Sequence, residues 1–304
     1  MLNFLPAPLV GVLASLLLAA NSLFWVPILL LLAMLKLVLP LTAVRRRLDP
    51  LLVRVAEAWI ACNSGWMALT QKAAWDVQGI EGLERRGWYL VNCNHQSWAD
   101  ILVLQHLLTR RIPLLKFFLK QPLVWVPIMG LAWWALDFPF MRRHSDDVLK
   151  AHPELRAKDQ ESTRLACAKF ALIPTSVMNF CEGTRFTLAK HQRQHSPYRH
   201  LLRPKAGGIA LALNVMGDKF RAILDVTIVY PDGAPNFWEF LCGRMKRVRV
   251  RVHSLPVPRE LATGDYANDP AVREAFQQWL QQVWQRKDAQ IDRLLAGPGS
   301  VRRS

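Results

Sequence analysis

The N-terminal region holds the longest apolar stretch of the chain. Residues 4–44 are almost all apolar, and Lys36 is the one charge among them. A helix needs roughly 20 apolar residues to cross a bilayer. The stretch therefore predicts either one long membrane span or two helices that meet where Asn21, Ser22 and Pro27 favour a break. A helix pair buried in a soluble protein is the less favoured alternative for so long an uncharged stretch.

Three arginines, Arg45, Arg46 and Arg47, follow this stretch directly. Because basic residues collect on the cytoplasmic side of a span, they predict that everything after them faces the cytoplasm. The stretch is longer than the apolar part of a signal peptide and lacks a basic start, so we expect it to be retained. The predicted organisation is a membrane segment at residues 1–47 and one domain at residues 48–304.

Further along the chain, short apolar runs alternate with helical patterns, the first of which covers residues 51–73. The apolar runs predict strands by their length and flanking turn residues. They are WDVQGIEGL (75–83), WYLVNC (88–93), FALIPTSVMNF (170–180) and FRAILDVTIVYP (220–231). Such alternation is typical of an α/β fold with a mostly parallel sheet flanked by helices.

The C-terminal region adds a strand and an amphipathic helix. RVRVRV (247–252) alternates basic and apolar residues, so we expect a solvated edge strand or a membrane-facing strand and not a nucleic-acid site. The helix predicted at residues 271–296 carries one apolar stripe, which we assign to core or membrane-surface packing. The stripe consists of Val272, Phe276, Trp279, Leu280, Val283 and Trp284.

The composition favours a protein that faces lipid. The formal net charge of +16 favours anionic surfaces such as phospholipid headgroups or nucleic acid. The 12 tryptophans point towards lipid, because indole rings prefer the membrane interface. The five cysteines form no CxxC pair and no zinc-ligand spacing, so we predict reduced thiols and no metal site.

The segment NHQSWAD, residues 94–100, carries the first candidate chemistry. His95 and Asp100 would point about 140° apart on one helix. They can work together only if His95 lies on the turn after the strand WYLVNC and Asp100 in the first turn of the next helix. There the carboxylate would fix the imidazole tautomer and leave the other nitrogen free to accept a proton. The ordinary alternative is a helix-capping aspartate beside a polar loop histidine.

The segment NFCEGTRFT, residues 179–187, carries the second candidate site. Gly183 lets the backbone approach a ligand closely, and Arg185 offers a forked set of donors that suits phosphate. An exposed turn with a surface ion pair is the alternative interpretation.

Together the two segments resemble the PlsC-like glycerolipid acyltransferases, the family of the 1-acylglycerol-3-phosphate acyltransferases. The intervening KQPLVWVPIMG (120–130) and FPFMRR (138–143) are similar to that family's lysine and arginine blocks. The order and spacing of the blocks agree from Trp75 to Tyr230. The later stretches RPKAGGIALAL and LDVTIVYPD are similar to the YihG-type branch of the family.

The resemblance implies direct acyl transfer with no acyl-enzyme and no cofactor. His95 is the implied general base, oriented by Asp100, and acyl-CoA or acyl-carrier protein is the implied donor. Glu182 is expected to pair with Arg185 or Arg143 and so hold a guanidinium near the acceptor's phosphate. The implied phosphate pocket consists of Arg143, Glu182, Gly183, Thr184 and Arg185, with Lys120 as a further cation.

We therefore expect a lysophospholipid acyltransferase on the cytoplasmic face of a bacterial inner membrane, with membrane lipid and not nucleic acid as its partner. Lysophosphatidic acid is the expected acceptor, and lysophosphatidylglycerol and lysophosphatidylinositol are alternatives. A non-catalytic basic membrane-binding protein is an alternative of another class. The pairing of His95 with Asp100 favours the enzyme, because a binding protein has no need of a base.

Overall fold

The helices and strands follow the predicted alternation. The computed structural model describes residues 2, 4–39, 41–138, 140–141, 158, 161–162, 164–165, 167–168, 170–266 and 268–296. The strands are β1 (Ala74–Gln78), β2 (Trp88–Cys93), β3 (Leu115–Phe117), β4 (Leu119–Lys120), β5 (Phe140–Met141), β6 (Ser176–Phe180), β7 (Phe220–Val229) and β8 (Arg247–Leu255). The helices are α1 (Ala7–Val38), α2 (Thr42–Thr70), α3 (Ala99–Leu108), α4 (Met129–Ala135), α5 (Leu188–Arg193), α6 (Gly207–Met216), α7 (Phe237–Leu241), α8 (Arg259–Thr263) and α9 (Pro270–Ala296), and a 3₁₀ turn covers Gln121–Trp125.

A six-stranded sheet lies at the centre, in the order β1-β8-β7-β2-β6-β3. Neighbouring strands are parallel except for β7 and β8, which are antiparallel. The predicted α/β fold with a mostly parallel sheet is confirmed. Strand β2 occupies the predicted residues, whereas the run 75–83 is a strand only as far as Gln78 and the run 170–180 only from Ser176.

The two faces of the sheet carry different layers. On β2, Tyr89, Val91 and Cys93 face a core shared with α1, α2 and α3, whereas Leu90 faces a core shared with α6 and α9. This separation follows from the period of two along a strand. The carboxyl ends of the parallel strands β2, β6 and β7 therefore lie at one edge, between two helical layers.

Strand β8 lies inside the sheet, between β1 and β7, so the prediction of an edge strand is wrong. The alternation of arginine and valine along β8 has a different cause. The valines are buried in the core, and the arginines on the other face are held by carboxylates. Arg247 Nη2 donates to Asp232 at 2.7 Å, and Arg251 Nη2 donates to Asp76 at 2.9 Å.

The apolar stripe of α9 packs into the protein core. Phe276, Leu280, Val283 and Trp284 are buried in the cluster that covers one face of the sheet. Lys287 extends the same buried face, where its Nζ donates to Val226 O at 2.6 Å and to Thr227 Oγ1 at 3.2 Å. It also lies 2.9 Å from Asp225 Oδ1, outside hydrogen-bond geometry. The buried ammonium thus fastens α9 to β7.

Helix α1 runs unbroken through the position of the predicted break, and Pro27 lies inside it. Asn21 Nδ2 donates to Asn63 Oδ1 of α2 at 2.8 Å, and Ser22 Oγ donates to Leu18 O at 2.9 Å. The two-helix alternative within residues 4–44 is wrong, because these polar groups are satisfied in a continuous helix. Among the described residues, α1 is the one helix long and apolar enough to cross a membrane.

Helix α2 begins at Thr42, so the predicted boundary between residues 47 and 48 falls inside it. The two long helices form an antiparallel pair. Leu2 N donates to Leu69 O at one end, and Lys36 Nζ lies 2.7 Å from Asp49 Oδ1 at the other. Ala14 of α1 also belongs to the core cluster under the sheet, so the N-terminal segment packs against the α/β domain.

Candidate active site

The candidate base lies in the loop that leaves β2 at the carboxyl edge of the sheet. Asn94 continues the strand ladder with its side chain, since its Nδ2 donates to Ile228 O at 2.9 Å and its Oδ1 accepts from Ile228 N at 2.9 Å. His95 follows directly, and α3 begins at Ala99, so Asp100 lies in the first helical turn. The loop thus brings His95 and Asp100 together in the predicted arrangement, with the histidine on the turn after the strand and the aspartate in the first turn of the next helix.

The carboxylate of Asp100 is fully buried and accepts four hydrogen bonds. Its Oδ2 accepts from Gln96 N at 2.7 Å and from Ser97 N at 2.9 Å, and it lies 2.8 Å from His95 Nδ1. Its Oδ1 accepts from the Tyr230 hydroxyl at 2.6 Å. Because a carboxylate only accepts, Nδ1 of His95 carries the proton and Nε2 presents a lone pair. Burial and the neighbouring carboxylate raise the pKa of Tyr230, which keeps its hydroxyl protonated as a donor.

The His95 ring is held from the side as well. It stacks on Phe180, with the ring centroids 3.9 Å apart and the planes 15° apart. The side chain is 12% exposed, so the imidazole reaches the surface of the cavity but has little freedom to turn. The ring geometry suits a base that accepts a proton from a hydroxyl within hydrogen-bond reach.

Glu182 lies behind this loop and is fully buried. Its Oε1 accepts from His95 N at 2.8 Å, and its Oε2 accepts from Leu202 N at 2.9 Å. Burial raises the pKa of Glu182 to about 7, and the two backbone donors oppose that shift. The expected pairing of Glu182 with Arg185 is wrong, because both carboxylate oxygens bind main-chain amides and the Arg185 guanidinium lies over the ring of Trp98, 4.7 Å from its centroid.

The residues after Glu182 form a cationic loop beside the histidine. Gly183 has a φ of 67°, a left-handed conformation that favours glycine. Lys190 Nζ donates to Thr184 Oγ1 at 2.7 Å and to Arg185 O at 2.9 Å. Lys205 packs over the glycine, since a Cβ there would lie 3.2 Å from its Cδ. Three cations therefore surround the loop, and it suits an anionic group such as phosphate.

An apolar cavity of about 680 Å³ begins at His95 and Trp98 and runs between α1, α2, α3 and α4. Phe117, Phe138 and Met129 are among its lining residues. Its volume is in the range of small-molecule sites. A site with a base and cations at one end and a long apolar space behind suits an amphiphilic ligand.

The structure accounts for most of the residues that the sequence singled out. His95, Asp100, Gly183, Thr184 and Arg185 lie around one loop edge, and Glu182 supports that edge from below. Lys120 ends β4. Arg142 and Arg143, of the predicted arginine block, lie outside the described residues.

Three further residues were not predicted from the sequence. Asn94 has a signal, because it stands next to the histidine at a strand end. Tyr230 has a weaker one, as a polar residue just after β7. Lys190 has none, because its contact with Thr184 depends on the turn into α5.

The fold and the site define a class of protein: an α/β protein with an oriented histidine at the mouth of an apolar cavity. The Acyltransferase family model matches residues 74–231, just over half of the chain. The chain belongs to the Acyltransferase family.

Known relatives agree with this assignment. The chain is 25% identical to the 1-acyl-sn-glycerol-3-phosphate acyltransferase epsilon of Mus musculus over 233 residues, 69% of this chain and 59% of that protein. It is 25% identical to the gamma enzyme of the same species over 185 residues, 57% of this chain and 44% of that protein. The chain thus spans between 44% and 59% of these two relatives.

A solved structure shares the fold. The 1-acyl-sn-glycerophosphate acyltransferase PlsC from Thermotoga maritima aligns with a TM-score of 0.52 and 16% identity, over 90% of this chain and 96% of that one. The assignment to the YihG-type branch stays a prediction.

We predict that the wild type loses stability relative to the Glu182→Gln variant as the pH rises towards 7. The quantity compared is the difference between their free energies of unfolding. The pKa of Glu182 in the folded state, about 7, lies above its ordinary value of 4.5, so the folded state binds the proton more tightly. The carboxyl group therefore contributes stability that is fully present below pH 4.5 and is lost as the pH passes 7. Gln is a matched control because it does not titrate.

Thermal unfolding of both proteins in detergent, at about pH 5 and about pH 8, measures the difference. A gap in Tm between them that is the same at both pH values would contradict the prediction.

Proposed function

We propose that the protein transfers a fatty acyl group from acyl-CoA or acyl-carrier protein to the free hydroxyl of a lysophospholipid, with lysophosphatidic acid as the preferred acceptor and phosphatidic acid as the product. The observation that carries this proposal is the oriented His95 at the point where the cationic loop meets the apolar cavity. A lysophospholipid has the same order of parts, namely an anionic headgroup, a hydroxyl and a long chain.

The proposed reaction uses His95 as base and then as acid. Nε2 takes the proton of the acceptor hydroxyl while that oxygen attacks the thioester carbonyl carbon. The C–S bond breaks as the tetrahedral intermediate collapses, and the imidazolium returns the proton to the departing thiolate. Asp100 stays ionised and stabilises the imidazolium, as a buried carboxylate does in other histidine-based sites. No acyl-enzyme forms in this scheme.

The headgroup is assigned to the cationic loop. Arg185 carries the forked donor set, and Lys190 and Lys205 add charge on either side of Thr184 and Gly183. In this arrangement Glu182 does not touch the phosphate, and it supports the His95 backbone from behind. The same loop would accept the phosphate of lysophosphatidylglycerol or lysophosphatidylinositol, so these acceptors belong in the test.

We also propose that α1 lies along one membrane leaflet and does not cross the bilayer. Its buried residues extend from Val10 to Ala33, which is about 34 Å of helix and matches the roughly 30 Å of a hydrocarbon core. If α1 stood upright across the bilayer, the domain whose side chains bury these residues would have to lie inside the membrane as well. The other side of α1 is apolar and exposed, for example 61% at Leu16 and 70% at Leu31, and suits lipid. The inner-membrane location and cytoplasmic face stay predictions.

We predict that His95→Ala lowers kcat by about 10²- to 10⁴-fold, because the hydroxyl loses its base. The assay uses purified protein in detergent with labelled acyl-CoA or acyl-carrier protein and a panel of lysophosphatidic acid, lysophosphatidylglycerol and lysophosphatidylinositol. The highest kcat/KM is expected with lysophosphatidic acid. Transfer to none of the three acceptors would support the non-catalytic alternative. Transfer at an unchanged rate in His95→Ala would show that His95 is not the base, and either result would overturn the proposal.

We predict that Trp98→Ala raises the KM for lysophosphatidic acid by roughly fivefold, the equivalent of about 1 kcal/mol of cation–π contact. The reason is that Arg185 loses the ring that holds its guanidinium. Trp98→Phe keeps an aromatic face and is the matched control. In Arg185→Ala, removal of Trp98 should add nothing further to KM. If the effects of Trp98→Ala and Arg185→Ala on KM were additive in the double variant, the contact with Trp98 would not position Arg185.

A further inference from the structure

The side chain of Tyr230 shares the carboxylate of Asp100 with His95. Tyr230 follows β7 directly and is buried in the core that α3 forms with the sheet. Its hydroxyl donates to Asp100 Oδ1 at 2.6 Å, whereas Nδ1 of His95 lies 2.8 Å from Oδ2. The phenol and the imidazole therefore meet the same carboxylate, each at a different oxygen.

The two oxygens of Asp100 are unequally supplied with donors. Oδ2 accepts from Gln96 N and Ser97 N in addition to its contact with His95. Among the described residues, Tyr230 is the one donor to Oδ1. Asp100 is fully buried, so bulk water does not take the place of the phenol. Removal of the hydroxyl would leave a buried carboxylate oxygen without a donor.

Other bonds already secure the position of the loop after β2. Both polar atoms of the Asn94 side chain bond to the backbone of Ile228. Ser97 Oγ donates to Pro235 O. The donors on Oδ2 hold the carboxylate of Asp100 itself. The hydroxyl of Tyr230 thus adds little to the position of the loop, and its main contribution is the positive end of an O–H dipole on Oδ1.

A donor on Oδ1 weakens the attraction between Asp100 and a protonated His95. The dipole draws negative charge of the carboxylate towards Oδ1 and away from Oδ2. The imidazolium beside Oδ2 is then stabilised less and releases its proton more readily. Burial, and next the charge of Asp100, raise the pKa of Tyr230 well above its ordinary value, so the phenol keeps its proton and remains a donor.

We propose that Tyr230 is a positioning residue for the acyl transfer proposed above, on which this inference rests, and that it acts through Asp100 to set how readily His95 takes and returns a proton. The transferred proton moves from the acceptor hydroxyl to Nε2 and then to the departing thiolate. Tyr230 keeps its own proton throughout. Without the phenol, His95 would hold the transferred proton too strongly and would return it slowly.

Other ionisable groups lie around His95, Asp100 and Tyr230, and they stay the same when Tyr230 is changed. In the described part of the chain they are Cys93 of β2, Glu182 and Arg185 after β6, Asp225 of β7 and Lys287 of α9. Burial raises the pKa of Cys93, so that thiol stays neutral. Burial raises the pKa of Glu182 to about 7, and this carboxyl contributes to the pH profile of every variant. A comparison between variants removes the shared contribution.

Tyr230→Phe tests the proposal through the pH dependence of kcat/KM for lysophosphatidic acid, measured with the full chain in detergent. We predict that the acid limb moves to higher pH by roughly half a unit to one unit, because the imidazolium, which is no base, persists to higher pH. Above that limb kcat should fall by roughly threefold to tenfold, as return of the proton slows.

Tyr89→Phe is the matched control, and both measurements should match the wild type. Tyr89 is buried in the same core, and its hydroxyl accepts from Glu84 N at 3.2 Å, at the amino end of β2. 3-Fluorotyrosine at position 230, introduced with an expanded genetic code, is nearly the same size and donates more strongly. It should move the acid limb to lower pH.

A role in packing alone predicts lower kcat without movement of the limb. Acid limbs that coincide in the wild type and Tyr230→Phe, or that move the same way with phenylalanine and 3-fluorotyrosine, would overturn the proposal.

NMR of isotope-labelled histidine tests the same link without turnover. We predict that the ring signals of His95, identified by their loss in His95→Ala, change with pH at a higher midpoint in Tyr230→Phe than in the wild type. If the midpoint moves but the wild type transfers no acyl group, the proposed function fails and the link between Tyr230 and His95 stands. A midpoint that does not move would overturn the link, even where acyl transfer is observed.

Discussion

The carboxylate of Asp100 holds the candidate site together, because four donors from two distant parts of the chain meet on it. Gln96 and Ser97 donate from the loop after β2, and Tyr230 donates from the end of β7. With those bonds made, His95 is left with its Nδ1 proton towards Asp100 and its Nε2 towards the cavity. The orientation of the His95 ring, the fold of the loop before α3 and the position of Tyr230 thus converge on one buried group.

The sequence predicted much of this architecture because its signals are local. The run WYLVNC is bounded by turn residues, and it forms β2 with the predicted limits. The His95 and Asp100 spacing has one sensible arrangement at a strand-to-helix turn, and the structure has it. The predictions that failed depend on distant partners. Glu182 meets the amides of His95 and Leu202, and Asn21 meets Asn63 across the helix pair. Such contacts leave no local pattern.

The position of β8 also could not be predicted from the sequence, because it depends on partners that are distant in the chain. A strand with alternating arginines has the pattern of an edge, but Asp76 and Asp232 neutralise the arginines and the strand lies inside the sheet. The charges at the candidate site also depend on distant partners. Main-chain donors hold Glu182 behind the loop, while the Arg185 guanidinium lies over Trp98, which lines the cavity. An amphiphilic acceptor is proposed because polar and apolar regions meet at His95.

The most direct test is a structure of the full chain in lipid nanodiscs with lysophosphatidic acid bound. The account predicts the acceptor hydroxyl within about 3 Å of His95 Nε2, with the phosphate on Arg185 and the chain in the cavity between α1 and α4. A bound lipid whose chain lies outside that cavity, or whose hydroxyl lies beyond hydrogen-bond reach of His95, would contradict it.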